Sequence, residues 1–232
     1  MSDNTALKKM RVRVDISSGL MIFFSFMMVA TLRTANENKQ EAIDQKEEIE
    51  QVVENLVGVR SQIYDDLKKE FSEDLPIWNA EIDPDLILRF NEPDLLFGAG
   101  RSNVKREFRK ILDDFWPRYL AILQKYDGHI SEIQIEGHTD RDGRRKNSTE
   151  RESYIYNMDL SHKRATATLK YCMDISLKEK DSFIIEKVSA NGKSFSKERR
   201  DKDGNVSKSL SRRVEFSIKT NDREAIEIIN KM

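Results

Sequence analysis

Asp140 lies in EGHTDRDG (Glu136 to Gly143) and Arg164 in NMDLSHKRA (Asn157 to Ala165), a carboxylate and a guanidinium in segments of opposite predicted type. Chemistry alone leaves two readings open. The pair forms a salt bridge that fixes the turn against the following helix, or each group keeps its charge for a ligand. His138 beside Asp140, with His129 nearby, is the strongest metal candidate, but the chain has 3 histidines and none has the spacing of helical ligands. A buried or hydrogen-bonded histidine is the better reading of His138, and no metal or other cofactor is expected. A third charged group, Asp15, opens an uncharged run, and by position alone it is an N-cap carboxylate favoured by the helix dipole. No nucleophile motif and no glycine-rich phosphate loop is present, so the chemistry on offer is binding rather than catalysis.

The elements that must position these groups begin with the run from Ile16 to Leu32, ISSGLMIFFSFMMVATL. As a helix it is roughly 25 Å long, near the lower limit for a membrane span, and Val12 and Val14 extend it. A signal peptide is the alternative, but Ala30-Thr31-Leu32 leads into Arg33, a poor cleavage site. Lys8, Lys9, Arg11 and Arg13 precede the run, which places the N-terminus in the cytoplasm and everything after Arg33 outside, in the periplasm of a cell with two membranes.

From Asn36 to Leu75 the chain has no proline and one glycine, and charged and amide side chains dominate, which predicts a long solvated helix. Within it Ile49, Val52, Leu56, Val59 and Ile63 step by three and four, a seam for pairing two copies. The competing reading is one amphipathic helix lying on the C-terminal domain, since Leu67, Phe71 and Leu75 then step by four. Pro76, Pro84 and Pro93 mark the domain boundary. The predicted organisation is a basic tail at 1–14, a transmembrane helix at 15–33, a helical dimerisation linker at 34–75 and a folded domain at 76–232.

That domain alternates element types. Strands are expected at Leu86 to Phe90 and Ile130 to Glu136, the latter half-buried because Ile133 and Ile135 alternate with Glu132, Gln134 and Glu136. A helix from about Val104 to Tyr126 should be kinked or broken at Pro117, and a second should run from about Leu160 to Met173. An apolar run follows at Phe183 to Val188, and then a strand that carries Val214, Phe216 and Ile218 on one face. The fold class is α/β, a sandwich of helices on a sheet. The polar stretch from Arg141 to Tyr156 reads as a long exposed loop. Lys and Arg total 40 against 41 for Asp and Glu, a net charge of -1 that offers no field to attract nucleic acid. The single cysteine, Cys172, excludes an intrachain disulfide.

Taken together with SRRVEF at Ser211 to Phe216, the two charged segments resemble the signature of the OmpA-like peptidoglycan-binding domain. LLFGAGRSNVK at Leu95 to Lys105 adds to the likeness, which spans about Leu86 to Lys219. The resemblance implies that Asp140 and Arg164 clasp the zwitterionic end of diaminopimelate in the wall peptide, with Thr139, Asn157 and Arg213 in support. Ser211 departs from the family's Asn. The span is similar to that of MotB-type stator subunits: a basic stretch, then Asp15, Gly19, Met21 and the pair Phe23-Phe24. This implies that Asp15 is a proton-binding group of an ion channel, that the chain is a homodimer, and that it works inside a ring of a multi-span MotA/ZorA-like subunit rather than as an enzyme. Within the class, the absence of a flagellar-style plug and flexible linker favours ZorB-type subunits of Zorya antiphage defence. A flagellar stator and a passive OmpA-like tether are the alternatives.

Overall fold

The computed structural model describes residues 3–91, 96–142 and 147–221, with side chains from Ser18 onward apart from Asn55, Leu56 and Glu179. The chain divides into two compact units, Met1–Val53 and Glu54–Met232.

The first unit is helical throughout its described residues. Helix α1 (Asp3–Phe71) starts well before Asp15, so Asp15 lies inside a helix and the N-cap reading fails. The side chain of Asp15 is outside the described residues. From Leu20 to Leu32 the apolar side chains are exposed, and the hydroxyls of Ser25, Thr31 and Thr34 donate to carbonyls one turn back. That internal pairing is what hydroxyls on a helix need where water is scarce. Among the described residues this is the one helix long and apolar enough to cross a membrane.

The second unit opens with the end of α1, and here one expected division moves. Val59, Ile63, Leu67 and Phe71 are buried in the core of the folded domain, three of them completely. The lower half of the predicted pairing seam is therefore used within the chain, and the domain reaches back to Glu54 rather than starting at Pro76. Arg118 fastens this end. Its guanidinium donates to Glu70 Oε1 at 2.7 Å, to the Glu70 carbonyl at 2.9 Å and to Asp74 Oδ2 at 2.8 Å, over the Phe71 ring.

After a short helix, α2 (Asp74–Ile77), the chain forms β1 (Ala80–Ile82), β2 (Ile87–Phe90), α3 (Arg106–Gln124) and β3 (Ile130–Gly137). It continues through α4 (Glu150–Asp174), α5 (Asp181–Lys187), β4 (Val188–Gly192), α6 (Lys208–Ser211) and β5 (Val214–Thr220). The sheet order is β1-β2-β5-β3-β4. All pairs are antiparallel except β3 with β4, whose parallel pairing needs the crossover that α4 and α5 supply.

Phe216 at the sheet centre packs on Phe90, Phe115, Trp116 and Tyr119. Alternation puts Val214, Phe216 and Ile218 on this face together with Leu88, Ile133 and Ile135, all essentially buried. Helix α3 runs through Pro117 without breaking, because Phe108, Leu112, Phe115, Trp116, Tyr119 and Leu120 hold one face of it in the core on both sides of the proline.

Two further expectations change. The second domain helix begins at Glu150, not near Leu160, so half of the supposed loop is helix. The apolar run at Phe183 is mostly the helix α5, and the strand begins at Val188.

Candidate functional site

The site is built where β3 ends against α4. A Cβ on Gly137 would lie 2.2 Å from the Ser161 carbonyl oxygen, and one on Gly192 would lie 2.6 Å from the His162 nitrogen. Only glycine lets the strand ends touch helix backbone this closely. Ser161 Oγ completes the joint by accepting from Ser194 N at 3.0 Å. At the other end of the joint, Thr149 caps α4 through a reciprocal pair with Glu152, which orients the helix over the turn.

Beyond Gly137 the chain leaves the sheet, and His138 N and Thr139 N bond to the carbonyls of Arg213 and Ser194. Asp140 then turns back on itself: its Oδ1 accepts from Asp142 N at 3.0 Å. Asn157 on α4 clamps the same turn, donating from Nδ2 to the carbonyls of Asp140 at 3.1 Å and Asp142 at 2.9 Å. Its role is to shape the turn.

Asp140, Thr139, Asn157 and Arg164 line one cavity of about 280 Å³, with Phe97, Tyr156 and Arg212 also in its wall. Arg164 enters from α4 and is 7% exposed. Its Nε donates to the Arg101 carbonyl at 3.0 Å and Nη2 to the Gly98 carbonyl at 3.3 Å, and it stacks on Phe97. Among the described residues it has no carboxylate within 4.0 Å, so the salt bridge with Asp140 does not form. Burial destabilises the charged guanidinium and lowers its pKa, the nearby Arg212 adds to this, and Tyr156 and Asp140 partly offset it. A guanidinium stays protonated even so, and what it lacks is an anion. Thr139 Oγ1, buried in the same wall, has no hydrogen-bond partner among the described residues.

Arg212 is the residue that the sequence reading missed. Its Nη1 donates to Asp140 Oδ2 at 2.8 Å. Arg213, the expected supporting contact, is not in this cavity. Adjacent residues of an extended chain face opposite ways, and Arg213 lies on the other face of the sheet, with Nε 2.6 Å from Glu215 Oε1. Ser211 is structural, its Oγ accepting from Arg199 N at 3.0 Å. His129 and His138 sit at opposite ends of β3, so they form no joint site.

No family model matches the chain. A MotB-like protein from Desulfovibrio vulgaris matches with a TM-score of 0.52 at 17% identity, over 72% of this chain and 98% of that one. The fold is thus a MotB-like α/β sandwich behind one candidate transmembrane helix. The Zorya protein ZorB from Escherichia coli (strain Crooks) is 38% identical over 209 residues, covering 89% of this chain and 86% of the relative. The chain belongs to the ZorB family.

Proposed function

We propose that the chain is the B subunit of a MotAB-like, proton-driven membrane motor anchored to peptidoglycan and acting in Zorya-type antiphage defence. The observation that carries the anchor is the buried Arg164 guanidinium, which among the described residues has no carboxylate partner and lines a cavity together with Asp140 and a Thr139 hydroxyl that is unpaired there. A ligand with an ammonium beside a carboxylate complements this pair: Asp140 takes the first and Arg164 the second, with Thr139 free to donate to the same carboxylate. The free end of diaminopimelate in a wall peptide has that form, and Asn157 holds the turn that aims Asp140 at it. Family membership favours the defence role over the flagellar one and over a passive tether.

In this reading α1 crosses the inner membrane with its N-terminus in the cytoplasm, and two copies stand inside a ring of a multi-span ZorA-like partner. Asp15, now interior to the helix, is the carboxylate that carries the proton.

Co-sedimentation with purified peptidoglycan tests the anchor. The wild-type chain should pellet with the wall, and Asp140→Ala or Arg164→Ala should each weaken retention about tenfold or more, as loss of one partner of a charged contact does. Equal retention of all three removes the clasp. The channel has its own test, because Asp15→Asn should insert normally yet abolish protection in a phage plating assay, and unchanged protection refutes the proton role.

A further inference from the structure

On the sheet face away from the cavity, three side chains meet in a way that neither anchor nor channel uses. His138 is 1% exposed, and among the described residues neither of its ring nitrogens makes a hydrogen bond. Its Nε2 stands 3.4 Å from Glu136 Oε2 and 3.3 Å from Glu215 Oε2. All of these donor atoms lie within 4.8 Å of one another. Metal bonds of about 2.0–2.1 Å to nitrogen and oxygen place neighbouring ligands of a tetrahedron about 3.3–3.4 Å apart. The two separations from Nε2 match those edges.

We propose that Glu136, His138 and Glu215 form a three-ligand site for a divalent cation of the zinc class. One imidazole and two carboxylates, with a fourth position left open, is a donor set that zinc accepts.

The surrounding cations work with this arrangement rather than against it, because each takes the other oxygen of a carboxylate. Arg89 and Arg213 both donate to Glu215 Oε1 at 2.6 Å, and Lys193 is 3.1 Å from Glu136 Oε1. The two Oε2 atoms are left to face Nε2, held by partners of the kind that orient metal-binding carboxylates. A groove of about 440 Å³ has Glu136 and Glu215 in its wall, beside the buried His138. An ion here would tie β3 to β5 one residue before Thr139 and so brace the turn that carries Asp140, from the side opposite to its ligand.

The test uses the full-length, untagged chain in detergent, stripped with a chelator and titrated with Co²⁺ and then Zn²⁺. One equivalent of Co²⁺ should bind with the intense visible absorption of a tetrahedral ion, and Zn²⁺ should displace it. Glu136→Gln and His138→Gln should each weaken binding about tenfold or more, while Glu132→Gln, on the same strand but outside the trio, should not. Circular dichroism establishes that each variant is folded, and Glu136→Gln keeps the size of the side chain it replaces. Absence of tetrahedral absorption in the wild-type chain overturns the site, as does unaltered binding by both folded variants. Peptidoglycan sedimentation of the same samples separates the two readings, since cobalt binding by a chain that ignores the wall would count against the anchor alone.

Discussion

Arg212 Nη1 stands 2.8 Å from Asp140 Oδ2, while Arg164, across the same cavity, reaches only carbonyls and an aromatic face. Both groups are therefore held in place before any ligand arrives, but only the carboxylate already has a charged partner. Preorganisation of one end and an unmet charge at the other divide the work between aim and attraction. Arg212→Gln should accordingly weaken wall retention less than Arg164→Ala does, because it loosens Asp140 without removing a ligand contact. Arg164→Lys should fail nearly as badly as Arg164→Ala, since an ammonium cannot keep both carbonyl contacts and still present a flat fork to a carboxylate. Retention assays at two salt concentrations measure both, and added salt should lower the wild-type value.

The joint between β3 and α4 makes a sharper claim. In Gly137→Ala the new methyl would meet the Ser161 carbonyl at 2.2 Å, a distance that forces strand and helix apart. Thermal unfolding should show a loss of several kcal/mol, on the order of the largest core defects, together with loss of wall retention. Gly128→Ala meets nothing within 4 Å and serves as the control, with stability close to wild type.

Glu215 sets an acid limit on stability. Burial disfavours its charge, but His138 and Arg213 outweigh this and hold its pKa well below the ordinary carboxylate range. Glu136 is also lowered: burial opposes ionisation there too, and His138 and Lys193 overcome it. A carboxylate with a depressed folded value contributes fully above its unfolded pKa of about 4.3, and that contribution is lost as pH falls through the folded value. In chelator, the melting temperature should hold steady from neutral pH to about pH 5 and then decline steadily with acid. Glu215→Gln should start lower at neutral pH and fall less over the acid range. A variant whose melting curve tracks wild type at every pH would remove this account.

In the proposed dimer, the fold leaves only the upper part of the seam for pairing. Ile63 is fully buried and Val59 nearly so within their own domain, whereas Val52 remains partly exposed. In a Cys172→Ser background, a cysteine at Val52 should cross-link in membranes more efficiently than one at Glu54, and one at Ile63 should not cross-link. Equal yields at all three positions would dissolve the seam.

What could be read from the residues alone followed from periodicity and from local motifs. The alternation of Val214, Phe216 and Ile218 marked β5, and the Gly-His-Thr-Asp and Leu-Ser-x-x-Arg-Ala segments brought Asp140 and Arg164 to one cavity. What escaped was mostly non-local. Arg212 and Arg213 are neighbours in sequence, and which one meets Asp140 depends on how β5 enters the sheet. The three-residue strand β1 is too short to show a period. The start of α4 was legible but overlooked, because Thr149 and Glu152 form a capping box ahead of a stretch that is merely polar. Val59 and Ile63 fit a pairing seam and a docked helix equally well, and only the domain's own surface decides between them.

The last turns of α1 are covered by the domain core and pinned by Arg118, so the domain has no slack at the point where its helix leaves it. A pull or twist applied to the helix at Glu54 is felt first by Val59, Ile63, Leu67 and Phe71, packed side by side and loaded in shear. Many contacts must give way together before such an interface yields. In the proposed motor, strain reaching Glu54 would thus be stored in the seating of the helix before any of it is passed to the wall.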